Sequence, residues 1–137
     1  MTSQETLEIS TRGRGFETIT SQVAEVVSRC GVEQGLCNVF IRHTSASVLI
    51  TENADSAVRR DLERFMQRIA PDGSPEYEHD TEGPDDMPAH IRTVLTASTL
   101  SIPIVNGKLG LGTWQGIYVW EHRTARQSRE VIVTVMG

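Results

Sequence analysis

The sequence predicts an α+β domain. Two apolar stripes at helical spacing sit among short β-branched or apolar runs, about seven strands and three helices in all. No repeat, low-complexity tract or linker divides the chain, so residues 1–137 are read as one domain.

The elements follow in order. Residues 6–11 alternate Leu7 and Ile9 with polar side chains, as a half-buried strand does, and Gly13 and Gly15 end it. Val23, Val26, Val27 and Cys30 fall on one helical face, with Thr18 or Thr20 as the N-cap and Gly31 as the stop. Residues 36–41 are nearly all apolar, which suits a strand covered on both faces. His43-Thr44-Ser45-Ala46 interrupts it before a second strand over 47–51; one long bent strand is the alternative.

Residues 53–70 carry the strongest helical pattern. Val58, Leu62, Phe65, Met66 and Ile69 form its buried stripe, Asn53 or Asp55 caps it, and Pro71 ends it. Arg59–Glu63 and similar pairs on its outer face read as ordinary solvated helix charges. An acidic loop over 71–87 precedes a short helix from Pro88 to about residue 97. Residues 100–105 return to a strand, in which Pro103 implies an edge or a bulge. Asn106-Gly107-Lys108 is a tight turn, the glycine-rich residues 110–116 lead into a strand over 117–121, and residues 129–136 form the last strand.

Composition narrows the functional classes. The content is 38% hydrophobic and 23% charged, that of a folded soluble protein. Net charge is −5, but the acidity is local: Asp72 and the six carboxylates of residues 76–91 are seven of the 18 acids. No basic arm or aromatic-rich patch points to nucleic acid. No apolar run is long enough for a membrane span, and no apolar leader begins the chain, so a cytoplasmic location is expected. Cys30 and Cys37 lack a metal or redox spacing and read as free, buried thiols.

Four segments carry candidate chemistry. Residues 76–91 hold His79, His90 and the carboxylates Glu76, Glu78, Asp80, Glu82, Asp85 and Asp86, with no Lys or Arg. Such a cluster repels itself unless a cation, protons or a basic partner relieves it. If Pro88 opens a helix, Asp86 and His90 lie one turn apart on one face. Imidazole with carboxylate suits zinc or a similar divalent ion, and carboxylates alone suit magnesium beside a phosphate. The plainer reading is that Asp85 or Asp86 caps the helix, but a cap needs one carboxylate. His43, just past a strand, is a candidate base, acid or ligand, with a strand-end histidine beside a hydroxyl turn as the alternative. Gly107–Gly116 lacks both the Walker order and a following helix; Gly110, Gly112, Thr113 and Gln115 are candidate anion donors, and a hairpin with Trp114 as filler is the alternative. Glu121, beside an apolar strand end, is a candidate acid or base, whereas Arg123 and Arg129 read as a solvated hairpin tip.

Taken in order, these motifs resemble the YjbQ-like family, whose members are often labelled secondary thiamine-phosphate synthases. The matching set is His43-Thr44-Ser45-Ala46, Asn53, His79-Asp80, Gly83 with Asp86 and His90-Ile91, Gly107-x-Leu109-x-Leu111-Gly112-Thr113-Trp114-Gln115, and Glu121. The resemblance implies two packed β-sheets with flanking helices in a homotrimer. It also implies a weak activity joining a pyrimidine diphosphate to a thiazole phosphate with release of pyrophosphate. On that reading His79, His90 and Asp86 hold a divalent metal (zinc or magnesium), with Asp85 in a catalytic or outer-sphere role. Gly110, Gly112, Thr113 and Gln115 hold the phosphorylated substrate, and His43 and Glu121 handle protons. Family members commonly carry an acid in the turn after Glu121, where this chain has Arg123.

Overall fold

A computed structural model describes all residues, 1–137. The chain runs β1 (Thr2–Ser10), β2 (Gly15–Thr18), α1 (Thr20–Cys30), β3 (Gln34–Ile41), β4 (Ala46–Glu52), α2 (Ser56–Ile69), α3 (Asp86–Leu95), β5 (Thr99–Val105), β6 (Lys108–Leu109), β7 (Gln115–Glu121) and β8 (Ser128–Met136). All strand pairs are antiparallel: a five-stranded sheet β1-β8-β3-β5-β6 and a three-stranded sheet β2-β7-β4. The fold class is therefore the one expected, α+β with two sheets and three helices.

Alternation along the strands builds the core between the sheets. Cys37, Val39 and Ile41 of β3, Ile102 and Ile104 of β5, and Val131, Val133 and Val135 of β8 point inward, where they meet Val48, Ile117 and Val119 of the smaller sheet. Val23, Val26 and Val27 of α1 join them as their spacing requires, and Gly31 ends α1 in the left-handed region at φ 67°. Asn106 and Gly107 both take positive φ, which gives the β5–β6 turn the twist that a tight hairpin needs. Pro103 lies just beyond the two residues of β5 that β6 pairs, so its missing N–H breaks no ladder there.

Residues 36–41 and 47–51 form two strands, as expected, rather than one long bent strand: β3 and β4 enter different sheets, and the His43–Ser45 segment crosses between them. Two expectations need correction. Gly15, expected to end a strand, opens the short β2, which pairs with β7. The apolar stripe of α2 is only partly covered, with Met66 buried but Phe65 and Ile69 51% and 46% exposed. Helix α2 lies against Trp120 and Arg92, bonded through Glu63, and the narrow three-stranded sheet leaves its outer apolar flank open.

The outer face of the larger sheet has an unusual composition. Leu36, Asn38 and Phe40 of β3 stand beside Pro103 and Val105 of β5 and Met136 of β8, with no charge among them. Leu36, Phe40, Val105 and Met136 are 42–52% exposed.

Candidate metal centre

The acidic loop folds back onto the first turn of α3. This helix begins at Asp86, two residues before Pro88, and Asp86 and His90 sit one turn apart on its inner side. Asp86 Oδ2 faces His79 Nε2 at 2.6 Å and His90 Nε2 at 3.1 Å. The three donor atoms lie within 4.8 Å of one another. Ligand atoms about 2.1 Å from one cation in tetrahedral geometry are roughly 3.4 Å apart, so small movements bring this set to a zinc-type arrangement.

The surroundings orient the donors. His90 Nδ1 donates to the Thr44 carbonyl at 2.9 Å. In a neutral ring this leaves a lone pair on Nε2, aimed at a carboxylate oxygen; a cation or an added proton removes that conflict. The second Asp86 oxygen, Oδ1, accepts from Arg123 Nη1 at 2.7 Å. Burial favours the neutral Asp86 acid, but hydrogen bonds and charge from His79, His90 and Arg123 outweigh it and hold the carboxyl below its usual range. A metal held here would be bound by His79, Asp86 and His90 and would neutralise a developing negative charge on substrate.

The comparisons with known proteins agree with one another. The family model for "UPF0047 protein YjbQ-like" matches residues 5–137. The chain belongs to this family. It is 54% identical over 134 residues to the UPF0047 protein sll1880 of Synechocystis, covering 98% of this chain and 91% of that protein. It is 42% identical to the UPF0047 protein YjbQ of Escherichia coli O157:H7, covering 98% and 97%. Among solved structures, the conserved hypothetical protein TT1486 of Thermus thermophilus matches with TM-score 0.86 at 32% identity, covering 96% of this chain and 99% of that one.

In this UPF0047 family member, the remaining candidate residues do different things. Asp85 ligates nothing in the cluster. Its Oδ2 accepts from Arg123 Nε at 3.0 Å, Thr124 N at 2.8 Å and the Thr124 hydroxyl at 3.1 Å, and so clamps the β7–β8 turn against the loop. Burial alone would raise the Asp85 carboxyl, but these contacts hold it far below the usual range. Arg123 is thus not a solvated tip residue: it is the base that relieves the acidic loop. The local signal for it was the charge imbalance itself, which called for a cationic partner without naming one.

His43 and His90 line one groove of about 520 Å³ with Thr44, Thr93 and Ser98. His43 Nε2 accepts the Glu130 N–H at 2.8 Å, and Nδ1 faces the Arg129 guanidinium at 3.3 Å. With donors on both sides, the ring has no lone pair turned to solvent. Burial first, and then the charge of Arg129, lower its pKa. Glu121 is fully buried. One oxygen accepts from the Thr11 hydroxyl and Arg129 Nε, each at 2.8 Å; the other accepts from the Arg123 N–H and Arg129 Nη2. Arg129, only 4% exposed and also bonded to Ser45, is likewise no hairpin tip. The Glu121–Arg129 pair ties β7 and β8 to Ser45, just before β4.

The glycine-rich segment is elsewhere. Gln115 and Glu121 stand at opposite ends of β7, six steps or about 20 Å apart. The Gly110 N–H bonds the Pro103 carbonyl at 2.7 Å, the Gly112 N–H bonds Gln115 Oε1 at 2.8 Å, and the Thr113 carbonyl accepts from Asn53. Within one chain, these residues close a turn rather than an anion cradle at the histidines.

Sequence reasoning also missed a Ser–His pair. Ser47 Oγ and His122 Nε2 are 2.7 Å apart, the spacing of a nucleophile and its base, yet both residues are fully buried on β4 and beyond β7. No substrate reaches them, so the pair is structural. Burial, and then Arg92, Arg14 and Arg129, push His122 down to about 3. The unfolded chain takes up this proton below about pH 6.5, whereas the folded one stays neutral until much lower pH. Stability is therefore full above about 6.5 and falls as pH drops toward 3, by up to about 1.4 kcal/mol per unit. Urea unfolding between pH 7 and 4 should give a flatter slope for His122→Gln than for the parent. Equal slopes would contradict the assignment.

Proposed function

We propose that this chain is a metal-dependent transferase acting on a small phosphorylated substrate in the cytoplasm. The reaction joins a pyrimidine diphosphate to a thiazole phosphate and releases pyrophosphate. The observation that carries the metal requirement is the convergence of His79 Nε2, His90 Nε2 and Asp86 Oδ2, with His90 fixed from behind by Thr44. The family resemblance supplies the choice of substrates. A bound divalent cation supplies charge neutralisation for a diphosphate leaving group. Arg123 fixes Asp86, Asp85 fixes Arg123, and the Glu121–Arg129 pair holds the turn that carries Arg123. Two unpaired cysteines suit a reducing compartment.

The assembly we infer is a homotrimer. The uncharged patch of Leu36, Phe40, Val105 and Met136 on the larger sheet and the open flank of α2 are the surfaces available for contacts between copies. Such contacts are also the route by which the Gly110–Gln115 turn of one copy comes to the histidines of another. A second reading is a metabolite- or metal-binding protein without turnover. The observation favouring it is that His43 and Glu121 already have donors at their acceptor atoms.

Product analysis on zinc- or magnesium-loaded protein, sedimenting as three chains, separates the two. Thiamine phosphate with equimolar pyrophosphate supports transfer. Saturable binding with no product supports the second reading, and free pyrimidine phosphate indicates a metal-dependent hydrolase.

A further inference from the structure

The polar side of α2 does not behave as its sequence suggests. Glu63, one turn after Arg59, turns inward: Oε1 accepts from Trp120 Nε1 at 3.0 Å, and Oε2 from the buried Arg92 at 2.8 Å. Arg59 therefore loses the carboxylate that helical spacing offers it. It bonds the Glu52 carbonyl and the Tyr118 hydroxyl instead. Arg60 bonds only the Ser56 hydroxyl. Arg64 follows Arg60 by four residues, a like-charge spacing that weakens a helix.

Opposite this face, the β1–β2 turn brings in Arg12 and Arg14. Arg14 is held rigidly by Asp72, at 2.8 and 3.0 Å, and by the His122 carbonyl. Between the two walls runs a groove of about 630 Å³ lined by five arginines, with Phe16 as its apolar member. Phe16 stacks on Trp120 with ring centroids 4.4 Å apart, which fixes the floor. Arg12, Arg14 and Arg64 have carboxylate partners in Glu17, Asp72 and Asp61. Glu63 is neutralised by Arg92, so the groove keeps the uncompensated charge of Arg59 and Arg60 in a chain whose net charge is −5. The groove lies on the side of α2 turned away from the exposed Phe65, and it shares no lining residue with the His79–Asp86–His90 cluster.

We propose that this groove is a binding site for a small molecule carrying a diphosphate group, with Arg59 and Arg60 as the principal contacts. Guanidinium forks match phosphate oxygens in pairs, and two guanidinium groups without carboxylate partners on one turn of helix, each bonded to neutral oxygens through Nη1 alone and faced by a rigid Arg14, suit linked phosphates better than a single carboxylate. Gly15 faces open space, with no neighbouring atom within 4 Å of where a side chain would start, and this leaves room for a ligand to approach the backbone beside them. The proposal is independent of the metal reading.

Calorimetric titration of pyrophosphate into the full-length, chelator-stripped protein tests it. Saturable binding is expected at one site per chain, weakening as salt rises. Arg60→Glu, at an exposed position that the fold tolerates, should weaken it by at least about tenfold, as should Arg59→Ala. His90→Ala should leave it unchanged. No binding to the parent protein, equal binding to the two arginine variants, or loss in His90→Ala would overturn the proposal; the last result would place the anion at the histidine cluster instead.

Discussion

His90→Ala is expected to lower zinc affinity by at least about a hundredfold, since loss of an outer-sphere partner alone typically costs ten- to a hundredfold and this variant removes a donor atom. The fold should survive, because His90 is partly exposed and its one other contact is the Thr44 carbonyl. His79→Ala should behave similarly. Arg123→Gln should have the smaller, outer-sphere effect, because of the three candidate ligands Arg123 bonds only Asp86, at its far oxygen, and its other side-chain bonds go to Asp85 and the Glu82 carbonyl. Competition against a chromophoric chelator measures all three. Equal affinity for the parent protein and His90→Ala would remove His90 from the site, and a larger loss in Arg123→Gln than in His90→Ala would invert the assigned roles.

The second large effect is on stability. Arg129→Met leaves the fully buried Glu121 carboxylate without its guanidinium, and breaking one side of such a pair costs about 3–5 kcal/mol. A double variant, Arg129→Met with Glu121→Leu, should recover most of that loss, because the uncompensated charge is gone and apolar side chains fill the space. Urea denaturation at pH 7 gives both values. If Arg129→Met unfolds at nearly the parent's midpoint, Glu121 is not the buried anchor described above. If both variants are equally weak, the loss reflects packing rather than charge.

Much of this was legible in the sequence because local rules decided it. Spacing placed Asp86 and His90 on one face, and the excess of carboxylates marked the loop as a place needing positive charge. The motif order pointed to the family and the fold class. The missing parts depend on contacts distant in sequence. Arg123 meets Asp85 and Asp86 across 37–38 residues, and Arg129 meets Ser45 across 84, so no local pattern identifies either as buried. Glu63 looked like the helical partner of Arg59, but the indole N–H of Trp120 and the guanidinium of Arg92 are better partners in a less polar place. Gly110–Gln115 carried a real turn signal. What the pattern does not say is at which end of β7 the turn lies relative to the histidines. The exposed Phe65 stripe fails for a related reason: periodicity tells which side of a helix is apolar, not how much sheet there is to cover it.

Whether His79, Asp86 and His90 of one chain form a divalent-metal centre is tested most directly by anomalous diffraction at the zinc edge, from crystals grown with zinc. One strong peak is predicted about 2.0–2.2 Å from His79 Nε2, His90 Nε2 and an Asp86 oxygen. A map with no peak among these three side chains, or with zinc bound only elsewhere on the chain, would contradict it.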